Sequence, residues 1–266
     1  MASGVTLESI FNFALIAGVV YGFIFNAVFF LSKRRKGLAL VYLALLVLFI
    51  SLNNLQAWLI AKGIISENIF LHFFRVPWYF LCAPMFYAFI VYYLKVQEKV
   101  KTYLILSYGI FMGMCCFRLL LIWQGQSAGL SRDEMGFRID VYSTYEEIVS
   151  FAYAVFILRK PIQIFSKNKK ILEFVMIYDD LAWIKHFLTF AVLVFIIWFV
   201  TIFLNFDLQG FSDEKTNYLL RLTTSVLIYW IGFKGLFRYR VMEDRIVLRE
   251  NIKQELLKGE KLSLIH

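Results

Sequence analysis

Between Ile10 and Leu31 the chain places 22 consecutive residues without a charged side chain, and between Leu38 and Ile60 it places 23 more. A helix of about 20 apolar residues crosses the roughly 30 Å of hydrocarbon in a bilayer, whereas a soluble helix interrupts such runs with a polar face. Phe187 to Phe206 is a third uncharged run. Val76 to Leu94 is a fourth, with Pro77 and Pro84 inside it and Arg75 at its edge, and Tyr103 to Trp123 is a fifth, containing Arg118. Composition agrees: 61% of residues are hydrophobic and only 18% charged, against about 25% charged in an ordinary soluble domain. Too few charges are present to cover a soluble fold of 266 residues.

Two further crossings are weaker in hydropathy. Ile148 to Leu158 is short, so the fifth span must begin near Tyr142 and include Glu146 and Glu147. The seventh runs from about Tyr218 to Phe237, with Arg221 in its first turn. Charge distribution supports both. Seven spans put segments 32–37, 95–102, 159–186 and 234–266 on one side, and these hold 21 of the 28 Lys and Arg. Basic loops resist translocation, so that side is the cytoplasm. Removing either weak span would place a strongly basic segment outside. The expected fold class is therefore all-α: a polytopic membrane protein of seven transmembrane helices, N-terminus out and C-terminus in. The domains are a helical bundle over 1–237 and a cytoplasmic helical tail over 238–266. Met1 to Ser9 has no Lys or Arg, so no cleavable signal peptide is expected. The longest outer loop is expected from Gln124 to Val141, and helical structure is expected in the inner segment after Arg159.

Motifs that would carry chemistry are few. No HExxH, phosphate-binding glycine loop or GxSxG occurs, so an enzyme is not expected, nor is a cofactor or metal. Cys82, Cys115 and Cys116 all lie in apolar segments and read as reduced packing residues. Asp179 and Asp180 either cap the inner end of the sixth span or, in an alternative reading, hold Mg²⁺ with His186 nearby in an enzyme acting on a lipid substrate. A small transporter is a further alternative. The net charge of +9 is explained by topology and attraction to anionic lipid, and direct nucleic-acid binding is not expected.

The most informative constellation lies at the outer side. Arg75, Arg118 and Arg221 fall near the outer ends of spans three, four and seven, Glu146 and Glu147 at that of span five, and Asn53, Asn54 and Gln56 in span two. His72 precedes Arg75 by one helical turn. Charges within a membrane are costly and usually face partners inside the bundle. Two readings stay open: the arginines reach head groups or pair with the glutamates, or the set lines an outward pocket for a small anionic or amphipathic ligand. At the other end, Val241, Leu248, Ile252 and Leu256 form one stripe of the tail helix. That stripe is a candidate signal output, pairing in a homodimer or resting on lipid or the inner loop.

Several stretches together resemble the N-terminal seven-helix sensor region of AraC-type membrane-bound transcription regulators of Bacteroidetes-like bacteria. They are Cys82-Ala-Pro-Met-Phe-Tyr87 with Tyr92-Tyr93-Leu94, Tyr103 to Leu120 with Arg118, Leu181-Ala-Trp-Ile-Lys185, and Tyr229-Trp-Ile-Gly-Phe-Lys-Gly235 followed by Glu243-Asp-Arg-Ile246. The resemblance implies a sensor in the bacterial cytoplasmic (inner) membrane that passes an extracytoplasmic ligand or membrane state to a cytoplasmic, transcription-regulatory output. The family's helix-turn-helix domain has no counterpart in the residues after span seven. The expectation is either the sensor half of a longer protein or a relative acting through a partner.

Overall fold

A computed structural model describes residues 7–31, 37–65, 69–94, 100–167, 182–207 and 217–235. These residues are helical throughout apart from short turns. In chain order they form α1 (Leu7–Leu31), α2 (Leu38–Ala61), the short α3 (Ile69–Phe73), α4 (Trp78–Leu94), α5 (Val100–Ser127), α6 (Arg132–Lys167), α7 (Ala182–Asp207) and α8 (Tyr218–Trp230). A π-helical turn, Ile231–Gly235, continues α8. Four helices contain stretches long and apolar enough to cross a membrane: Ser9–Leu31, Leu38–Ala61, Val100–Ser127 and Lys185–Asn205. Trp78–Leu94 and Tyr218–Phe233 are shorter apolar helices.

Helix α1 packs on α2 and α8, α2 on α4, α4 on α6, α6 on α7 and α7 on α8, which closes a ring. Helix α5 lies outside it against α4 and α6. Contacts at the two ends fix the directions. At one end Phe11 of α1 stacks on Tyr218 of α8, Asn54 of α2 meets Thr224 of α8, and Tyr79 of α4 meets Glu146 of α6. At the other, Tyr42 of α2 stacks on Tyr92 of α4, Lys160 of α6 lies over Tyr103 of α5, and Trp183 of α7 donates to the Tyr93 hydroxyl. Successive long helices therefore run antiparallel.

Helix α4 is the core. Phe80, Leu81, Met85, Phe86, Tyr87, Phe89, Ile90 and Val91 cover its whole circumference and all are buried. A helix that is apolar all round belongs inside a bundle. Helices α5 and α7 are the reverse: Ile105, Met112, Trp123, Phe199 and Phe203 are all more than half exposed. Apolar surface on that scale fits a hydrocarbon solvent rather than water. Helix α6 explains its own weak hydropathy. Its buried or half-buried face carries Asp140, Ser143, Glu146, Glu147 and Ser150, while Phe137, Tyr145, Val149 and Phe156 point outward. Between Asp140 and Ser150 the inward face is thus mostly polar, while apolar side chains point outward.

Close packing of α1 rests on glycines. A Cβ on Gly22 would overlap the Ser51 hydroxyl of α2, and one on Gly18 would come within 3.0 Å of Ser225 on α8. Without a water-driven hydrophobic effect, small residues that let backbones approach are the usual glue between membrane helices.

Two expectations are corrected. The stretch 124–141 is not a loop. Helix α5 runs through Ser127, where Gly129 (φ 63°) ends it with its N–H bonded to the Gln126 carbonyl and that of Leu130 to the Gly125 carbonyl. This is the glycine-terminated helix end that the left-handed conformation permits. Helix α6 then starts at once, because the Ser131 hydroxyl accepts from the Glu134 N–H while the Glu134 carboxylate accepts from Ser131 N–H at 3.0 Å and from its hydroxyl at 2.9 Å. That reciprocal cap holds Glu134 below the usual glutamate range, the backbone bond being the main cause. Second, Pro77 does not interrupt a span. Residues 74–77 are non-helical, α4 begins after Pro77, and only Pro84 lies within it. His72 and Arg75 consequently do not share a helical turn, since α3 ends at Phe73. The expected output stripe Val241, Leu248, Ile252 and Leu256 lies outside the described residues, as do Asp179 and Asp180.

Candidate functional site: a polar cavity within the helix ring

The polar face of α6 opens on a cavity of about 640 Å³ enclosed by the ring. Its lining comes from the C-terminal half of α2, the N-terminal halves of α4, α6 and α8, and α7, with Arg118 reaching in from α5. These half-helices all lie at the end of the bundle defined by Phe11, Thr224 and Glu146. Toward the opposite end the cavity closes on aromatic rings. Phe86 and Phe187 line it, and beneath them Phe187 packs on Phe89, Trp183 and Trp230.

Seven of the eight candidate ligand residues meet here: Asn53, Asn54, Arg75, Arg118, Glu146, Glu147 and Arg221 all line the cavity. His72 does not. It sits half-buried beside Phe73, its Nδ1 without a hydrogen-bond partner among the described residues. Burial, with Arg75 and Arg132 nearby, pushes its pKa below the usual histidine value, so it is neutral at physiological pH.

The deepest element is an ion pair. Arg118 Nη2 donates to Glu146 Oε1 at 2.9 Å, and both side chains are only 2% exposed. The same Nη2 donates to Ser143 Oγ at 3.2 Å, the Tyr79 hydroxyl donates to Glu146 Oε1 at 2.9 Å, and the guanidinium lies 5.1 Å from the Tyr142 ring centre. Consecutive helical residues point about 100° apart, so Glu146 and Glu147 have different neighbours. Glu147 accepts from the Trp198 indole N–H of α7 at 2.9 Å. Of the two glutamates, only Glu146 forms an ion pair with an arginine among the described residues.

The amides divide in role. Asn54 is buried and ties α2 to α8, donating to Thr224 and Ser225 at 3.2 and 3.3 Å. Gln56 clasps the non-helical segment: its Oε1 accepts from the Val76 N–H at 3.0 Å and its Nε2 donates to the Val76 carbonyl at 3.2 Å. A side-chain amide thus satisfies backbone groups that helix would otherwise satisfy, and it holds Arg75 and Val76 at the cavity wall. Residues missed from sequence are Tyr79, Asp140, Ser143 and Trp198. Asp140, Ser143 and Glu147 follow one another at three- and four-residue spacing, which marks one helical face.

Cys82, Cys115 and Cys116 are unpaired, and no cluster of metal-ligating side chains occurs among the described residues. His186 is exposed on α7. In comparisons with known proteins, no family model, no curated protein and no solved structure matches this chain.

Proposed function

We propose that the chain is a seven-span membrane sensor whose outward cavity takes a small anionic or amphipathic ligand and whose eighth helix conveys occupancy to a cytoplasmic output. The single observation that carries this is the cavity itself, where charges from α4's entry, α5, α6 and α8 converge inside an otherwise apolar bundle. Intramembrane charges gathered round a space of this size are what a small-ligand site requires. Antiparallel packing of the seven helices other than the short α3 supports the sevenfold crossing, and the basic segments between them support a cytoplasmic C-terminus. The Arg75, Arg118 and Arg221 end then faces outward in a bacterial cytoplasmic membrane. Resemblance to the sensor region of AraC-type regulators supports the assignment to signalling, the partner being a cytoplasmic transcription-regulatory domain or protein.

A ligand shifts such a bundle only if it binds two arrangements unequally. Helix α8 touches the cavity through Leu220, Arg221, Thr224 and Leu227 and continues into a π-helical turn, a geometry frequent at functional positions. The aromatic closure beneath Phe187 favours a receptor over a conduit. In cells, Arg75→Gln, Arg118→Gln or Arg221→Gln is expected to change the transcript profile that depends on this protein while the variant still reaches the membrane. Unchanged profiles in all three would refute the sensor reading.

A further inference from the structure

The cavity's charged lining is balanced: Arg75, Arg118 and Arg221 stand with Asp140, Glu146 and Glu147. A plain anion held by the arginines would also lie against three carboxylates, and a plain cation would face the reverse. The hydrogen bonds of the deepest pair are one-sided. Both bonds to Glu146 fall on Oε1, from Tyr79 and Arg118, and Oε2 accepts none among the described residues. Among the described residues Arg118 donates through Nη2, and its Nε and Nη1 have no partner there. The Tyr142 hydroxyl, which donates to the Met114 carbonyl at 3.1 Å, also stands near the Glu146 carboxylate, so the unmet need is greatest on the Arg118 side. Buried charged groups with hydrogen-bonding positions unmet are costly, and an occupant able to meet them gains that energy.

One occupant meets both needs: an acceptor for Arg118 and an N–H donor for Glu146, adjacent in one head group, with an apolar remainder against Phe86, Phe187, Phe195 and Leu227. Resting on the cavity reading above, the geometry points to a zwitterionic amphiphile as ligand, with a primary ammonium next to a carboxylate or phosphate on an apolar chain. Hydrophobic α-amino acids and ethanolamine phospholipids share that chemistry. A cavity of this size holds the first whole, and the head group and first methylenes of the second.

The test uses the purified full chain in phosphatidylcholine nanodiscs, with tryptophan fluorescence as readout because Trp198 lies in the cavity wall. Probes are L-leucine, its carboxylate-only analogue 4-methylvalerate, its ammonium-only analogue isopentylamine, and the lysolipids of ethanolamine and choline. Leucine or lysophosphatidylethanolamine is expected to bind about tenfold or more tightly than the probes lacking one charge or the N–H donors. Which of the two does so identifies the source. Ala191→Phe, which fills the cavity, is expected to abolish the signal. Equal binding of 4-methylvalerate would overturn the zwitterion while leaving the cavity as an anion site. Binding that survives Ala191→Phe would overturn both, and failure of every probe would overturn the zwitterion alone, the cavity reading then resting on the arginine variants in cells.

Discussion

Removing one member of the Arg118–Glu146 pair should cost far more than removing both. The two side chains are each 2% exposed and 2.9 Å apart, so both charges are largely withdrawn from water. Breaking a buried pair from one side leaves an uncompensated charge and typically costs about 3–5 kcal/mol. Arg118→Met strands Glu146 among neutral hydroxyls, that of Tyr79 at 2.9 Å, and Glu146→Gln strands the guanidinium with an amide oxygen and Ser143. Beyond the pair itself, the double variant loses the hydrogen bond to Ser143, worth about 1 kcal/mol, and keeps an amide oxygen for the Tyr79 hydroxyl. A double-mutant cycle should therefore report a coupling of at least about 2 kcal/mol, measured by reversible unfolding in bicelles or by steric trapping. If each single change costs under about 0.5 kcal/mol and the two add, the charges are solvated and the buried pair is wrong.

Gly22→Leu should separate α1 from α2 and α8 at a cost of about 1–3 kcal/mol, whereas Gly109→Leu, at a position with open space around it, should be silent in the same unfolding assay. Gln56→Leu leaves the Val76 N–H without its acceptor and should cost about 1–3 kcal/mol and expose segment 74–77 to protease, while equal stability and protection would remove the clasp. His72 should titrate below the ordinary histidine range in ring NMR spectra, assigned with His72→Gln. Its neutral form is the one the fold accepts, so its contribution to stability is present above the ordinary value and lost as pH falls through the lowered one. A normal or raised value would contradict its placement.

Much of the bundle could be read in advance because the bilayer reduces the problem to length and charge. The uncharged runs at 10–31, 38–60 and 187–206 reappear as α1, α2 and α7 within a few residues. What remained hidden is instructive. Residues 124–141 read as a loop because they are polar, yet Gly129 and the Ser131–Glu134 pair spell a helix end followed by a capping box. Hydropathy failed where capping chemistry was informative. The charged residues of α6 could be placed on a helix face by spacing, but the choice of Glu146 over Glu147 as partner of Arg118 depends on rotation about the helix axis, which sequence does not carry. Likewise Gly18 with Gly22 and Gly109 with Gly113 have the same four-residue spacing. The first pair meets Ser225 and Ser51, and the second meets nothing within 4 Å among the described residues. Only the packed structure separates them.

In the proposed topology, alternating crossings put basic segments inside and the cavity mouth outside. Single cysteines in a cysteine-free background, at Ser131 in the α5–α6 turn and at Lys169 beyond α6, read this directly with a membrane-impermeant thiol reagent on intact cells. Labelling at position 131 and none at 169 until the membrane is opened is the expected result. The opposite pattern, or labelling of both from outside, would contradict the topology and with it the outward cavity.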